Sequence, residues 1–155
     1  MTLTVAAITT FLLLATAAHA NRRSDTARNL NHGLAGTPMA NTGYALEAAG
    51  FRYHISPYLI AGIAGTESSF GAASCRGNPY NAFGLSSCTT GWHVPYFPTW
   101  ASAYTFMAKF LTGRWPNASN AWSYRGYAAC SDCWAARVAY HIRARFGVTS
   151  AVRYP

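Results

Sequence analysis

A small, mainly α-helical domain is the fold this sequence predicts, on three observations. Apolar residues recur at helical spacing in several segments, and capping residues bound those segments. At 155 residues the chain is long enough for one hydrophobic core and short for two. Strands, if present at all, are confined to about residues 80–97, a minor region. No internal repeat or low-complexity segment interrupts the pattern.

Taken in order, residues 1–20 combine an apolar centre with the small-residue ending Ala18-His19-Ala20, which reads as a secretory signal peptide cleaved before Asn21. The first twenty residues contain no Lys or Arg, whereas Arg22 and Arg23 follow them, so a retained N-terminal membrane anchor is the lesser alternative. No other stretch is long and apolar enough to span a bilayer. Residues 21–40 are polar and carry Gly33, Gly36 and Pro38, the composition of a partly ordered lead-in. The folded domain is expected over residues 41–155.

Four helices are predicted there, at about 42–50, 57–70, 99–112 and 132–146, with a shorter one around 118–124. The second has Ser56 as N-cap, Pro57 at the first helical position and Gly71 as its stop. Thr99 caps the third after Pro98, and Ala103, Tyr104, Met107, Phe110 and Leu111 recur at core spacing. The fourth starts at Ser131 and ends at Gly147. Its Trp134, Val138, Ile142 and Phe146 repeat every four residues as a buried stripe, while Arg137, Arg143 and Arg145 fall elsewhere.

Twelve basic residues against four acidic ones give a formal charge of +8, and removing residues 1–20 leaves it unchanged. Such an excess suits an anionic polymer, either cell wall or nucleic acid. The basic residues are scattered, with no run longer than Arg22-Arg23, which argues against nucleic acid as the partner. Cys75, Cys88, Cys130 and Cys133 are an even number in a chain with an export signal, so disulfides are expected. Of three possible pairings, Cys75 with Cys88 clamps the loop carrying residues 78–84 and leaves Cys130 with Cys133. Zinc or redox roles suit Cys-x-x-Cys less well here, because no second such pair accompanies it. His54, His93 and His141 show no metal-ligand spacing, and no metal or cofactor is expected.

Glu67 is the residue that stands out. It sits at the end of the apolar run Leu59-Ile-Ala-Gly-Ile-Ala-Gly-Thr-Glu67, where Ile60, Ile63 and Ala64 precede it by seven, four and three residues. On a helix the carboxyl would project from the core-facing stripe. Burial and the negative end of the helix dipole both disfavour its ionised form, raising its pKa toward the range of a general acid.

The run Glu67-Ser-Ser-Phe-Gly71 followed by Asn78-Pro-Tyr-Asn81-Ala-Phe-Gly84-Leu85 resembles the catalytic heart of lysozyme-like peptidoglycan hydrolases. Its first block is similar to lytic transglycosylases and goose-type lysozymes. The Asn81-Ala-Phe-Gly84 block is similar to the glucosaminidase (mannosyl-glycoprotein endo-β-N-acetylglucosaminidase-like) domains of autolysins, which is the better match. The resemblance covers about residues 41–148 and is specific at those two blocks. It implies an α+β lysozyme-like fold with a cleft, Glu67 as proton donor, and Ser68, Asn81, Phe83 and Gly84 at the substrate. Tyr124 or Tyr127 would match a cleft tyrosine.

Glycosidases usually employ two carboxylates about 5 to 9.5 Å apart, and only Asp25, Glu47 and Asp132 remain for the second. Asp25 lies in the polar lead-in, Glu47 on the polar face of the first domain helix, and Asp132 at a helix start that a negative charge stabilises. The resemblance therefore points to a secreted, periplasmic or wall-bound monomer that cuts peptidoglycan glycan strands with one protein acid. Lytic transglycosylation, or wall binding without catalysis on the same fold, are the alternatives.

Overall fold

The computed structural model describes residues 3–75, 77–85, 95–118, 120–124, 126–149 and 154, with side chains from Thr16 onward. Among the described residues the chain is mainly helical and contains no strand. Its helices are α1 (Leu3–Leu34), α2 (Gly43–Tyr53), α3 (Pro57–Ser68), α4 (Trp100–Arg114) and α5 (Ser131–Phe146), with a 3₁₀ turn at Ala121–Ser123. Of the region expected to hold any strands, residues 80–85 and 95–97 are loop, and residues 86–94 lie outside the described residues.

α3 is the centre of the molecule. Every residue from Leu59 to Gly65 is buried, so the expected one-sided stripe of Ile60, Ile63 and Ala64 is instead a helix covered all round. Pro57 occupies the first turn, and Ser56 stands at the N-cap without a side-chain capping bond. The helix ends at Ser68, three residues before Gly71, because Ser69 and Phe70 turn left-handed at φ 51° and 58°. Their amides close on the carbonyls of Gly65 and Ala64 at 3.1 and 3.0 Å, and the Phe70 ring is buried. Core burial of that ring offsets an unusual backbone for a bulky residue.

α2, α4 and α5 begin and end close to where their sequence signals lie. At α4 the Thr99 hydroxyl accepts the Ser102 amide and the Ser102 hydroxyl accepts the Thr99 amide, both at 3.2 Å, a reciprocal capping box. Gly147 ends α5 in the left-handed conformation at φ 68°. Trp134, Val138, Ile142 and Phe146 are all buried, as their spacing predicts. Cys130 and Cys133 form a disulfide across the start of α5. Cys75 is disulfide-bonded too, while Cys88 lies outside the described residues.

The N-terminal segment differs from its reading as a lead-in. Residues 21–34 continue α1 without a break, and Ala27, Leu30 and Leu34 are fully buried. Polar side chains that suggested a loose segment have partners instead. Asn31 Oδ1 accepts the Gly43 amide at 2.7 Å and so caps α2, Asn29 Nδ2 donates to the Phe146 carbonyl at 3.3 Å, and Arg23 pairs with Glu47. Among the described residues, no helix is long and apolar enough to cross a membrane.

Packing of α3 on α5 depends on two glycines. A Cβ on Gly62 would lie 2.6 Å from Ile142 Cγ1 and 3.1 Å from the Val138 carbonyl oxygen; one on Gly65 would lie 2.6 Å from Phe70 Cζ and 2.9 Å from His141 Cγ. Helix-interior glycine ordinarily costs stability relative to alanine; here the missing side chain lets two helices touch. Gly62→Ala is therefore expected to destabilise by about 1–3 kcal/mol. Gly113→Ala, where a Cβ meets nothing within 4 Å, is expected to stabilise by a few tenths to about 1 kcal/mol. Urea unfolding of both variants reads the opposite signs.

Candidate active site

Glu67 lies in the last turn of α3 and is half-buried. Burial raises its carboxyl above the ordinary value of 4.5. A hydrogen bond from Trp134 Nε1 to Oε1 at 2.7 Å pulls the other way, with burial the larger effect. The group thus keeps a proton to higher pH than a solvated glutamate, as its place in the sequence predicts.

The loop carrying Asn81 to Gly84 runs against this carboxyl. Gly84 is left-handed at φ 62°, and a Cβ there would sit 2.4 Å from Glu67 Oε2. Any other residue would combine backbone strain with a collision into the acid. Ser68 holds the loop from the helix side. Its buried hydroxyl accepts the Gly71 amide at 2.9 Å and lies 3.0 and 2.9 Å from the carbonyl oxygens of Ala64 and Ala82, the acceptors it can donate to.

Asn81 is buried as well and shapes the turn internally. Its Nδ2 donates to the Leu85 carbonyl at 3.0 Å, and its Oδ1 accepts the Phe83 amide at 3.4 Å. The Phe83 ring is fully buried, edge-on to Tyr104 with centroids 6.3 Å apart. The side chains of Ser68, Asn81 and Phe83 thus support the site from within, whereas the resemblance had set them at the substrate; Gly84 alone of the four is exposed. A motif marks positions without saying whether a side chain serves by contact or by support.

The two tyrosines are placed differently. Tyr124 is buried against the edge of Trp115 at 5.3 Å. Tyr127 stacks on Trp134 with centroids 4.6 Å apart and donates its hydroxyl to the Phe83 carbonyl at 2.6 Å. Burial, with the nearby charge of Glu67, pushes the Tyr127 phenol well above its usual range, so it stays a donor. Glu67, Trp134, Tyr127, Phe83 and Gly84 therefore close a ring of contacts around one carboxyl.

Next to that ring is a shallow pocket of about 220 Å³ lined by Thr66, Glu67, Ala128, Cys130, Cys133, Trp134 and Arg137. None of the three other acidic residues is among those that line it. Glu47 is buried between Arg23, whose Nε and Nη2 donate to it at 2.5 and 2.9 Å, and the Tyr154 hydroxyl at 3.4 Å. Asp25 forms an exposed pair with Arg28. Asp132 is exposed in the first turn of α5. Among the described residues, no group of three or more His, Cys, Asp or Glu side chains is placed to hold a metal ion.

Sequence reasoning did not identify Trp134 or Arg137 as part of the site. Trp134 falls on the core stripe of α5, and the only available signal was that a buried indole N–H needs an acceptor. No protein-family model matches the chain, and no curated protein matches it. Gly84→Ala is expected to lower unfolding stability by about 1–3 kcal/mol through φ strain and overpacking, measured by urea denaturation.

Proposed function

We propose that this protein cleaves the N-acetylated glycan strand of peptidoglycan, with Glu67 as the general acid. The observation that carries the reading is a half-buried carboxyl of raised pKa at the edge of a pocket, abutting the Asn81-Ala-Phe-Gly84 turn. The turn is the same block whose sequence resembles glucosaminidase domains of autolysins. A charge of +8 suits an anionic wall, and the apolar N-terminal segment suits export.

In this mechanism Glu67 delivers its proton to the glycosidic oxygen while positive charge develops at the sugar's anomeric carbon. The carboxylate left behind accepts the Trp134 N–H, which keeps ionisation from being too costly in a half-buried position. The other oxygen, Oε2, lies against the Gly84 backbone, where a Cβ would sit 2.4 Å from it, while the Glu67 side chain also borders the pocket shared with Trp134 and Arg137.

Because Glu47 and Asp25 are held in ion pairs and Asp132 is exposed at the start of α5, the chemistry proposed uses a single protein carboxyl. Hydrolysis then relies on the substrate's own acetamido group or on an oriented water. The same observation favours a second reading, lytic transglycosylation, in which the sugar's own hydroxyl closes a 1,6-anhydro ring and no water is consumed. The two products differ by the mass of one water, so mass spectrometry of digested purified wall separates them.

Glu67→Gln is expected to keep the fold and reduce glycan release by at least about a hundredfold; near-normal release by that variant would refute the assignment. If both wild type and variant bind wall without releasing soluble fragments, the protein is a wall-binding module. Trp134→Phe removes the bond that lowers the Glu67 pKa. Activity needs the protonated acid and falls as pH rises through that pKa, so the alkaline limb of the pH–rate profile should move to higher pH. A limb that stays put or moves down contradicts the role given to the indole.

A further inference from the structure

We propose that Arg137 is the specificity-determining residue of the Glu67 pocket and holds a carboxylate of the glycan substrate, so that acid-bearing strands are preferred over neutral N-acetylated ones. The proposal rests on the reading of Glu67 as a glycan-cleaving acid and adds what the neighbouring pocket recognises.

Arg137 borders the same pocket as Glu67 and Trp134. It follows Trp134 by three residues on α5, about one turn or 5 Å along the axis. Trp134 reaches inward to the acid, and Arg137 stands at the exposed side of the pocket. Among the described residues the ion pairs are Arg23 with Glu47 and Arg28 with Asp25, and neither involves Arg137. The polar side-chain partner of Glu67 is the Trp134 indole, so the pocket pairs a proton-holding acid with a cation whose charge is not neutralised by it.

An arginine on the wet face of a helix ordinarily needs no ligand, and Arg143 and Arg145 illustrate this. Arg145 lies over the Phe70 ring at 5.2 Å, and Arg143 borders a separate hollow with Ala136, Tyr140 and Ala144. Among the described residues, Arg137 is the cation that lines a pocket with the acid. His141, one turn further on, is half-buried, and burial together with Arg145 and Arg137 lowers its pKa, so it stays neutral and leaves the positive charge there to the arginines. A guanidinium binds a carboxylate through paired N–H donors, which fixes orientation as well as sign. In a peptide-substituted glycan that carboxylate belongs either to the stem peptide or, once the peptide is removed, to the lactyl ether of the sugar.

The test uses the Glu67→Gln protein, which binds without turnover, and compares it with the same protein carrying Arg137→Gln or Arg137→Lys. Three probes are titrated calorimetrically: peptide-bearing glycan strands, amidase-treated strands with free lactyl carboxylates, and neutral chitin oligomers. Arg137→Gln is expected to weaken at least one carboxylate-bearing probe roughly tenfold while leaving the chitin oligomers unchanged, and Arg137→Lys to lose less. Whichever anionic probe responds identifies the carboxylate. Equal loss on the neutral oligomers, or no loss on either anionic probe, overturns the proposal, and thermal melts of the exposed-site variants confirm that folding is unaltered. Should wild type fail to cleave wall while the Arg137-dependent binding persists, the catalytic reading falls and this one stands. Cleavage with Arg137-independent binding gives the reverse, and no binding of any probe overturns both.

Discussion

Close approach without side chains is the constraint on which the rest of this molecule depends. Gly62 and Gly65 let α5 lie against α3, and Gly84 lets the 81–84 turn lie against the end of α3. Adding one carbon at any of the three would put atoms within 3 Å of a neighbour. The first two contacts bring α5 alongside α3, with its Trp134 hydrogen-bonded to the carboxyl; the third sets the opposite wall of the same group. Dense packing makes such positions intolerant, because neighbours in a filled core have nowhere to move.

Around that carboxyl the electrostatics are sparse. A chain with four acidic residues holds two of them in ion pairs and one in the exposed first turn of a helix. The remaining one, Glu67, is half-buried, with an indole N–H as its side-chain hydrogen-bond partner. A neutral donor satisfies the carboxylate without the strong pKa depression an arginine would bring, and burial then dominates. The Glu47–Arg23 pair shows the contrast: there a buried carboxylate is matched by a bidentate guanidinium and ties α1 to α2. Two glutamates in one small core thus meet opposite solutions, one suited to architecture and the other to proton donation.

Support for the site comes from residues whose own side chains are turned inward. Ser68, Asn81 and Phe83 fix the turn through the Ala82 carbonyl, the Leu85 carbonyl and the core, and Tyr127 anchors the Phe83 carbonyl from the far side. Beside these buried side chains Gly84 is exposed and Glu67 is half-buried. A short motif therefore encodes a shape more than a set of contacts.

Much of this was readable from local pattern. The approximate bounds of α2, α4 and α5, the start of α3 at Pro57, the cap at Thr99, the buried stripe of α5 and the raised pKa of Glu67 follow from spacing, caps and burial, which are short-range properties of a chain; α3 instead stops at Ser68, short of Gly71, because Ser69 and Phe70 turn left-handed. Residues 21–34 were not legible as a packed helix, because Arg23, Asn29 and Asn31 find their partners on α2 and α5, far along the sequence. Nor was the meeting of Trp134, Tyr127 and Gly84 around Glu67, since helical periodicity reports which residues are buried but not which neighbour each one meets. The sequence by itself determined a helical domain with one anomalous acid; only the tertiary structure decided what surrounds that acid, because the contacts join residues 17 to 67 positions apart, and no local rule spans such distances.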